Sequence, residues 1–316
     1  MIIKKRTTPV EIPVLEALKR RLSPRRKIYP KLEEDFAYSQ KGFDGEKAVD
    51  RFTAALLKNN LTILHDVYLH NKGSSFQIDT LIIGPHCIFV VEIKNYTGTV
   101  TFNFILKQFT REHNGKITGF RNPIIQATTN TLLLTEWLSD HTIMDIPIYP
   151  LVVISEPSTI LKVIPAEKDI SDVVMHGEYM PQQVMKMNQE LEGNRHGHLH
   201  QKIGALILGE CGTFDFDYRR EYVIDHQKIL SGVQCPGCGK LGMERKQKNW
   251  HCNKCGEKDK DAYIKAISDY LLLIKPSITN TECMKFLKVD SRHIVTRLLK
   301  SSGLIYDGKY KRWSRK

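Results

Sequence analysis

The stretch QIDTLIIGPHCIFVVEIKN, residues 77–95, constrains the fold more than any other part of the chain. Two runs rich in Ile, Leu, Val and Phe flank a Gly-Pro-His segment, so the pattern predicts two buried strands joined by a tight turn. If the Pro-His dipeptide forms the tip of a hairpin, Asp79 faces Glu92 and Gln77 faces Lys94, all on one side of the sheet. A slip of one residue would instead send the two groups to opposite faces.

Polar side chains on one face of a buried strand pair need a physical reason. Opposed carboxylates repel each other and lose hydration, so Asp79 and Glu92 require a compensating cation. Lys94 supplies one positive charge, and a hard divalent metal would supply two. Oxygen ligands favour Mg²⁺ or Mn²⁺, and such a metal activates water and holds a scissile phosphate, while the lysine orients the water or counters transition-state charge. The alternative is a solvent-facing ion pair at the end of a sheet.

The segments around this strand pair alternate between helical and extended patterns. Residues 1–40 contain helical patches broken by prolines and are interpreted as a basic N-terminal extension. A helix is predicted from FDGEKAVDRF with Asp44 as its cap, then three strands, a second helix capped by Asn122, and the buried strand IPIYPLVVIS. This order predicts an α/β core over residues 41–160. Residues 161–230 are predicted to form an α/β extension of unclear role.

Four short motifs, in this order, resemble the nuclease-related domain (NERD) family: FDGE at 43–46, QID at 77–79, FVVEIKNYTG at 89–98 and NPIIQ at 122–126. The resemblance implies a restriction-endonuclease-like core, a mixed sheet flanked by helices, and a role in DNA processing. It also implies that Asp79, Glu92 and Lys94 form the D…(E/D)xK signature of such nucleases.

The resemblance directs attention to three further polar residues. Glu46 matches the helix carboxylate that can complete the metal site, although a glutamate in a first helical turn is also favoured by the helix dipole. Gln126 would touch a phosphate or a metal-bound water, or satisfy a backbone group at its helix start. Gln77 joins the candidate catalytic set as the neighbour of Asp79 on the same strand face. The histidine-rich segment NRHGHLH, residues 194–200, has ligand spacing but is predicted to be a solvated loop.

Two Cys-x-x-Cys pairs separated by 13 residues make the second strong motif. Four thiolates at this spacing suit one tetrahedral Zn²⁺, and a glycine after each pair permits a tight turn, whereas a redox dithiol would need a single pair. The motif resembles a zinc ribbon, predicted over residues 231–260, with these ligands: Cys235, Cys238, Cys252 and Cys255. The sequence between the pairs predicts a basic and aromatic DNA-binding surface formed by Arg245, Lys246, Lys248 and Trp250. A protein-binding ribbon is the alternative.

Residues 261–316 predict three helices followed by two short strands around Asp307-Gly308, a winged-helix-like pattern. Small helical domains share this pattern, and winged helices also bind proteins. If the segment binds DNA, the third helix and the wing would contact it through Ser291, Arg292, Thr296, Lys300, Lys309, Lys311 and Arg312.

The formal charge of +12 is distributed unevenly. Residues 1–41 hold 11 basic against 5 acidic side chains, residues 42–230 hold 17 against 22, and residues 231–316 hold 19 against 8. Basic flanks beside an acidic middle indicate a polyanion partner, DNA rather than a membrane. The sequence has neither a long apolar span nor a signal-peptide pattern, and the cysteines form no evident disulfide framework, so a cytoplasmic protein is expected.

The sequence therefore predicts a Mg²⁺- or Mn²⁺-dependent nuclease that hydrolyses DNA phosphodiester bonds in DNA processing or defence. One alternative is a DNA-binding protein whose core keeps the fold without turnover. Another is an accessory subunit that docks to other DNA-processing proteins. The sequence does not define an oligomeric state.

Overall fold

The computed structural model describes residues 1–191 and 199–315. The chain forms two compact units, and each is discontinuous in sequence. Unit 1 comprises Met1–Thr8 and Gln40–Phe214, and unit 2 comprises Pro9–Ser39 and Asp215–Lys316. Most of the histidine-rich segment, residues 194–198, lies outside the described residues.

The helices are α1 (Glu11–Arg21), α2 (Tyr29–Thr53), α3 (Pro123–Asp140), α4 (Met180–Glu190), α5 (His200–Glu210), α6 (Tyr218–Tyr222), α7 (Ala262–Leu273), α8 (Asn280–Leu287) and α9 (Arg292–Ser301). The strands of unit 1 are β1 (Ile2–Lys4), β2 (Thr62–Asn71), β3 (Ser74–Ile83), β4 (Ile88–Lys94), β5 (Thr99–Asn103), β6 (Gln108–His113), β7 (Lys116–Phe120), β8 (Ile148–Ile154), β9 (Ile160–Ile164) and β10 (Val174–His176). Those of unit 2 are β11 (Val233–Gln234), β12 (Leu241–Lys246), β13 (Asn249–His251), β14 (Lys258–Asp259), β15 (Ser277–Ile278), β16 (Ile305–Asp307) and β17 (Arg312–Ser314).

Unit 1 is built on a mixed six-stranded sheet in the order β1-β2-β3-β4-β8-β10. The β2–β3–β4 segment is antiparallel, while β4, β8 and β10 run parallel. Alternate residues of the strands enter two apolar clusters: Phe89 and Val91 pack in the cluster that includes residues of α2 and α4, and Ile88 and Val90 in the cluster that includes α3 and α5. Helices therefore cover both faces of the sheet, and the predicted α/β class is confirmed.

The predicted hairpin forms with the expected register along its apolar part. Thr80 pairs with Val91 and Ile83 with Ile88, while the Gly84 N–H donates to the Cys87 carbonyl at 2.8 Å across the tip. This register follows from the short turn, because the length of a hairpin loop sets which residues of the two strands face each other.

A second, smaller sheet in unit 1 has the order β7-β6-β5-β9. Its inner residues, among them Val100, Phe102 and Phe109, share an apolar cluster with Val152 and Ile154 of β8. No strand was predicted for residues 99–120, which supply three of its four strands. The small sheet extends the protein beside the end of β4.

Helix α2 begins at Tyr29, so the prediction that Asp44 caps a helix there is wrong. Asp44 lies inside the helix and is exposed, and Gln40 donates a hydrogen bond to its side chain at 3.0 Å. Glycine normally weakens a helix, but here Gly45 lies in close contact with Asn95, and that packing favours a continuous helix. The segment predicted as an extension thus supplies the first turns of α2.

Unit 2 has one apolar core that joins parts of the chain far apart in sequence. Val14, Leu15 and Leu18 of α1 pack in the same cluster as residues of the β11–β14 sheet and of helices α7, α8 and α9. A buried ion pair supports this core, because Arg21 of α1 donates to Asp269 of α7 at 2.7 Å. Unit 2 therefore contains the predicted ribbon and the predicted C-terminal domain together. It also contains residues 215–230 of the predicted α/β extension.

The C-terminal part of unit 2 combines helices α7, α8 and α9 with a sheet in the order β15-β17-β16. The Asp307-Gly308 signal does mark a turn, but the loop holds four residues, because Asp307 accepts hydrogen bonds from the N–H groups of Lys309 and Tyr310 and pairs with Arg312. Across the described ranges, no helix has the length and apolarity needed to span a membrane.

Candidate active site and zinc centre

The candidate active site lies where β3 and β4 separate. Their pairing ends at Thr80, and the next residue toward the start of β3, Asp79, uses its Oδ2 atom to accept a hydrogen bond from the Ile93 N–H at 2.7 Å. On the other side of β3, Asp66 of β2 adopts φ 52°, which interrupts the regular ladder opposite Asp79. The ladders on both sides of Asp79 are therefore interrupted.

Glu92 and Lys94 project from the end of β4 and form an ion pair of 2.7 Å. The Glu92 side chain is 3% exposed, and burial together with the charge of Asp79 raises its pKa to about 8. Burial alone would lower the pKa of Lys94, but the Glu92 carboxylate raises it above its usual value. Burial likewise raises the pKa of Asp79, against the opposing effects of the Ile93 N–H and of Lys94.

Helix α2 brings a third carboxylate, Glu46, to this site. The helix approaches closely because Gly45 has no side chain: a Cβ atom there would lie 2.5 Å from the Asn95 Cβ atom and 2.8 Å from the Ser155 Oγ atom. Burial and the charge of Asp79 raise the pKa of Glu46 to about 8. In the FDGE motif, Gly45 therefore permits the close approach of α2 to the site, and Glu46 supplies the carboxylate that this approach brings there.

Arg6 neutralises the side of the site formed by α2 and β2, and the sequence analysis did not predict its role. Its guanidinium, 3% exposed, donates to Glu46 at 2.7 Å, to Asp50 at 2.9 Å and to Asp66 at 2.6 Å. It also donates to the Asp79 carbonyl at 3.0 Å. The apolar residues at the start of MIIKKR could have indicated a strand in this segment. That strand, β1, pairs with β2 and so places Arg6 beside Asp66.

This arrangement suits a divalent cation. Asp79 disfavours ionisation of both Glu92 and Glu46, while Lys94 places one positive charge beside Glu92 and Arg6 places one beside Glu46. A dication bound to carboxylate oxygens would relieve the remaining repulsion. The three carboxylates are spread more widely than a closed ligand set: within the part of the chain that the structure describes, the four cysteines of unit 2 are the one group of three or more ligand atoms lying within 4.8 Å of one another. Water and phosphate oxygens would complete the coordination of a cation held here.

Of the two glutamines, Gln77 differs from its predicted position, whereas Gln126 lies at the start of its helix as predicted. Gln77 pairs with Tyr68 of β2 rather than with Lys94, and it is exposed. The strands separate before this position, so the predicted grouping of four side chains on one face is reduced to Asp79, Glu92 and Lys94. Gln126 is half-buried in the first turn of α3, whose cap is Asn122 as predicted.

The structure brings the four predicted zinc ligands together. The Sγ atoms of Cys235 and Cys255 are 3.5 Å apart, and those of Cys238 and Cys252 are 3.6 Å apart. These separations fit tetrahedral zinc, for which Zn–S bonds of about 2.3 Å imply sulfur atoms about 3.8 Å apart. The glycine after each pair has positive φ, 71° at position 239 and 79° at position 256, as the predicted turns require.

The ribbon surface differs from the prediction at its aromatic residue. Trp250 is fully buried in the core of unit 2, where its ring stacks near Tyr263, so it is not available to stack on bases. The guanidinium of half-buried Arg245 lies 5.6 Å from the Trp250 ring centroid. Lys246 and Lys248 are exposed, and they form the accessible basic part of this strand pair.

The C-terminal residues predicted to contact DNA fall into two groups. Ser291 caps α9 and half-buried Thr296 bonds to Asn280 at 2.6 Å, so both are engaged within the protein. The others are basic and exposed: Arg292, Lys300, Lys309, Lys311 and Arg312.

Comparison with known proteins concerns the segment that contains the candidate active site. Residues 41–155 match the model of the nuclease-related domain, NERD. An uncharacterised protein of Bacillus anthracis is 32% identical over 102 residues, which cover 32% of this chain and 48% of the relative, so the chain spans about half the length of that protein. No solved structure matches the chain. The family match indicates a nuclease-related function, and the matched segment contains Glu46, Asp79, Glu92 and Lys94.

Proposed function

We propose that this protein is a divalent-metal-dependent nuclease that hydrolyses DNA phosphodiester bonds, with a restriction-endonuclease-like core in unit 1. The observation that carries the proposal is the meeting of Asp79, Glu92 and Lys94 at the separation of β3 and β4. A purely structural ion pair would need one acid and one base. This site has a third carboxylate, Glu46, and an excess of negative charge that burial makes unfavourable.

Asp79 and Glu92 would hold Mg²⁺ or Mn²⁺, with Glu46 in reach of the same region. When bound, the cation would supply a lowered pKa for water and charge neutralisation at the scissile phosphate. Lys94, fixed by its 2.7 Å contact with Glu92, would direct its ammonium group to the attacking water or to the phosphate oxygens. The Ile93 N–H holds the Asp79 carboxylate in one orientation, so the site requires little rearrangement.

Unit 2 would hold the substrate. Its exposed lysines and arginines on α9 and on the β16–β17 hairpin support a winged-helix-like mode of DNA binding, and its cysteine cluster supports a structural zinc ribbon. The net positive charge of residues 231–316 would attract the phosphate backbone.

The test compares cleavage of single-stranded and duplex DNA by the full chain in Mg²⁺ or Mn²⁺. Asp79→Ala, Glu92→Ala and Lys94→Ala should each lower the rate by at least about 100-fold, because each removes a positioned group that acts in the transition state. Glu178→Ala, which removes an exposed carboxylate elsewhere in unit 1, is the matched control and should cleave at the normal rate.

Folded variants that cleave like the normal protein would refute these assignments. A chain that binds DNA but never cleaves it would favour the non-catalytic DNA-binding protein. Cleavage that requires an added DNA-processing protein would favour the accessory subunit.

A further inference from the structure

Three basic side chains of unit 1, Lys41, Arg111 and Arg121, form no internal ion pair and lie on segments of the chain that adjoin the candidate active site. Among the residues that the structure describes, no carboxylate oxygen lies within 4 Å of their charged nitrogens. Lys41 and Arg111 are half-buried and Arg121 is exposed. Cations near a catalytic centre that lack a protein partner are available to an anionic ligand.

A hydrogen bond to the Lys41 backbone ties that residue to the end of β4. The Asn95 side chain, which directly follows Lys94, donates to the Lys41 carbonyl at 2.8 Å and ties α2 to the end of β4. Arg121 immediately follows β7 and precedes the cap of α3, and Arg111 lies on β6, which pairs with both β5 and β7.

Lys41 and Arg111 lie close enough to repel each other. Burial and then the charge of Arg111 lower the pKa of Lys41, and Glu156 only partly opposes them. The Glu156 carboxylate is already engaged, because its Oε1 atom accepts from the Ser158 N–H at 3.2 Å and from the Ser158 hydroxyl at 2.7 Å. Like charges held together on rigid elements are unfavourable unless an anion joins them.

Arg111 is held in position for such an anion. Its guanidinium lies 5.6 Å from the Phe120 ring centroid, and its Nε atom is buried without a hydrogen-bond partner. Because the Nε atom is buried, a phosphate would be bound by the terminal nitrogens of the guanidinium, which the aromatic ring supports.

We propose that Lys41, Arg111 and Arg121 bind backbone phosphates of the DNA strand next to the scissile phosphate. The inference rests on the proposed nuclease function. It gives unit 1 phosphate contacts of its own, in addition to the DNA binding proposed for unit 2. The overall acidity of residues 42–230 therefore coexists with a local basic rim at the site. The proposed rim acts by charge and has no base preference.

The experiment measures binding of a fluorescent DNA duplex to the full chain across a salt series in Mg²⁺, in a Lys94→Ala background that prevents cleavage. Lys41→Gln, Arg111→Gln and Arg121→Gln should each reduce the slope of log affinity against log salt by about 0.9, because each removes one phosphate contact. Lys162→Gln is the control, since Lys162 is exposed on β9 and outside the rim. Arg111→Lys keeps the positive charge and should keep most of the salt slope. It remains informative if Arg111→Gln fails to fold.

Cleavage by the same rim variants with Lys94 restored should show a raised KM and a preserved turnover rate at saturating DNA. If the normal protein cleaves DNA while the rim variants keep the slope and KM of Lys162→Gln, the rim proposal is overturned and the nuclease proposal stands. If no cleavage occurs but the slopes fall as expected, the rim is supported as a DNA-binding surface and the nuclease proposal fails. The rim proposal would also be overturned if the salt slope fell only in variants with a lowered melting temperature, because the loss of binding would then follow from destabilisation.

Discussion

Arg6 illustrates how a single side chain can determine the charge balance of a site. Glu46 and Asp50 are one helical turn apart on α2, and Asp66 lies on β2, so their carboxylates approach one another from two elements. The planar guanidinium donates to all three, which an ammonium group could not do with the same geometry. Arg6 therefore lets Glu46, Asp50 and Asp66 lie close to Asp79.

Replacing Arg6 should destabilise unit 1 strongly. Arg6→Ala leaves three partly buried carboxylates without their common partner, and we expect the free energy of unfolding to fall by about 3 kcal/mol, the lower end for breaking a buried ion pair, because the acids keep some contact with water. Urea unfolding of the full chain measures this change. Arg6→Lys should recover part of the loss, and Lys5→Ala, which removes a neighbouring exposed cation, should have little effect. Equal stability of Arg6→Ala and the normal protein would show that the cluster is not a stabilising network.

At the scale of elements, short sequence patterns predicted the features that depend on neighbouring residues and missed those that depend on tertiary contacts. The strand pair from β3 to β4 was predictable because two apolar runs flank a short turn. The cap was predictable because Asn122 precedes a proline, and its side chain does accept a hydrogen bond from the Ile124 N–H at 3.0 Å. The separation at Asp79 was not predictable, because the apolar pattern of the two strands does not mark where their pairing ends, nor that Asp66 opposite Asp79 adopts a positive φ. The start of α2 was missed for a similar reason, since tertiary contacts extend that helix beyond its local signals.

The β11–β14 sheet should depend on zinc for its structure. Its strands are two to six residues long, too short to be stable by themselves, and the four cysteines join its two turns. Backbone N–H groups of Cys255 and Lys254 lower the pKa of Cys252 to about 6, which favours the thiolate that binds metal.

We therefore expect elemental analysis to find about one zinc per chain, and Cys252→Ser to lose most of it. Because Met243 and Trp250 of the ribbon belong to the same core as α1 and α7, the loss should lower the melting temperature of unit 2 as a whole. Cys211→Ser makes the same chemical change in unit 1 and should retain the zinc. Full zinc content in Cys252→Ser would refute the four-cysteine site.

At the scale of the whole molecule, the division into units could not be derived from sequence neighbourhood. Arg6 and Asp66 are 60 residues apart, and Arg21 and Asp269 are 248 apart, yet each pair forms a close hydrogen-bonded contact. Composition and charge did indicate a basic C-terminal region. What they could not indicate is that α1 completes the core of that region, because an amphipathic helix pattern shows which face is buried but not against which partner.

This organisation determines how DNA binding by unit 2 must be tested. Cutting the chain near residue 230 would remove most of the core that covers Val14, Leu15 and Leu18, so the remaining protein should aggregate and would not report on DNA. Neutralising exposed charges in the full chain avoids this problem.

Arg292→Gln, Lys300→Gln and Lys311→Gln change exposed residues of α9 and the β16–β17 hairpin. Each should weaken DNA binding and lower the salt slope by about 0.9, because each phosphate contact releases nearly one counterion. Turnover at saturating DNA should be preserved, since these residues lie outside the candidate active site. Lys285→Gln, an exposed position on α8, controls for the general loss of one charge. If the three variants match that control, the basic surface does not anchor DNA, and a protein partner becomes the better explanation for the exposed lysines and arginines of unit 2.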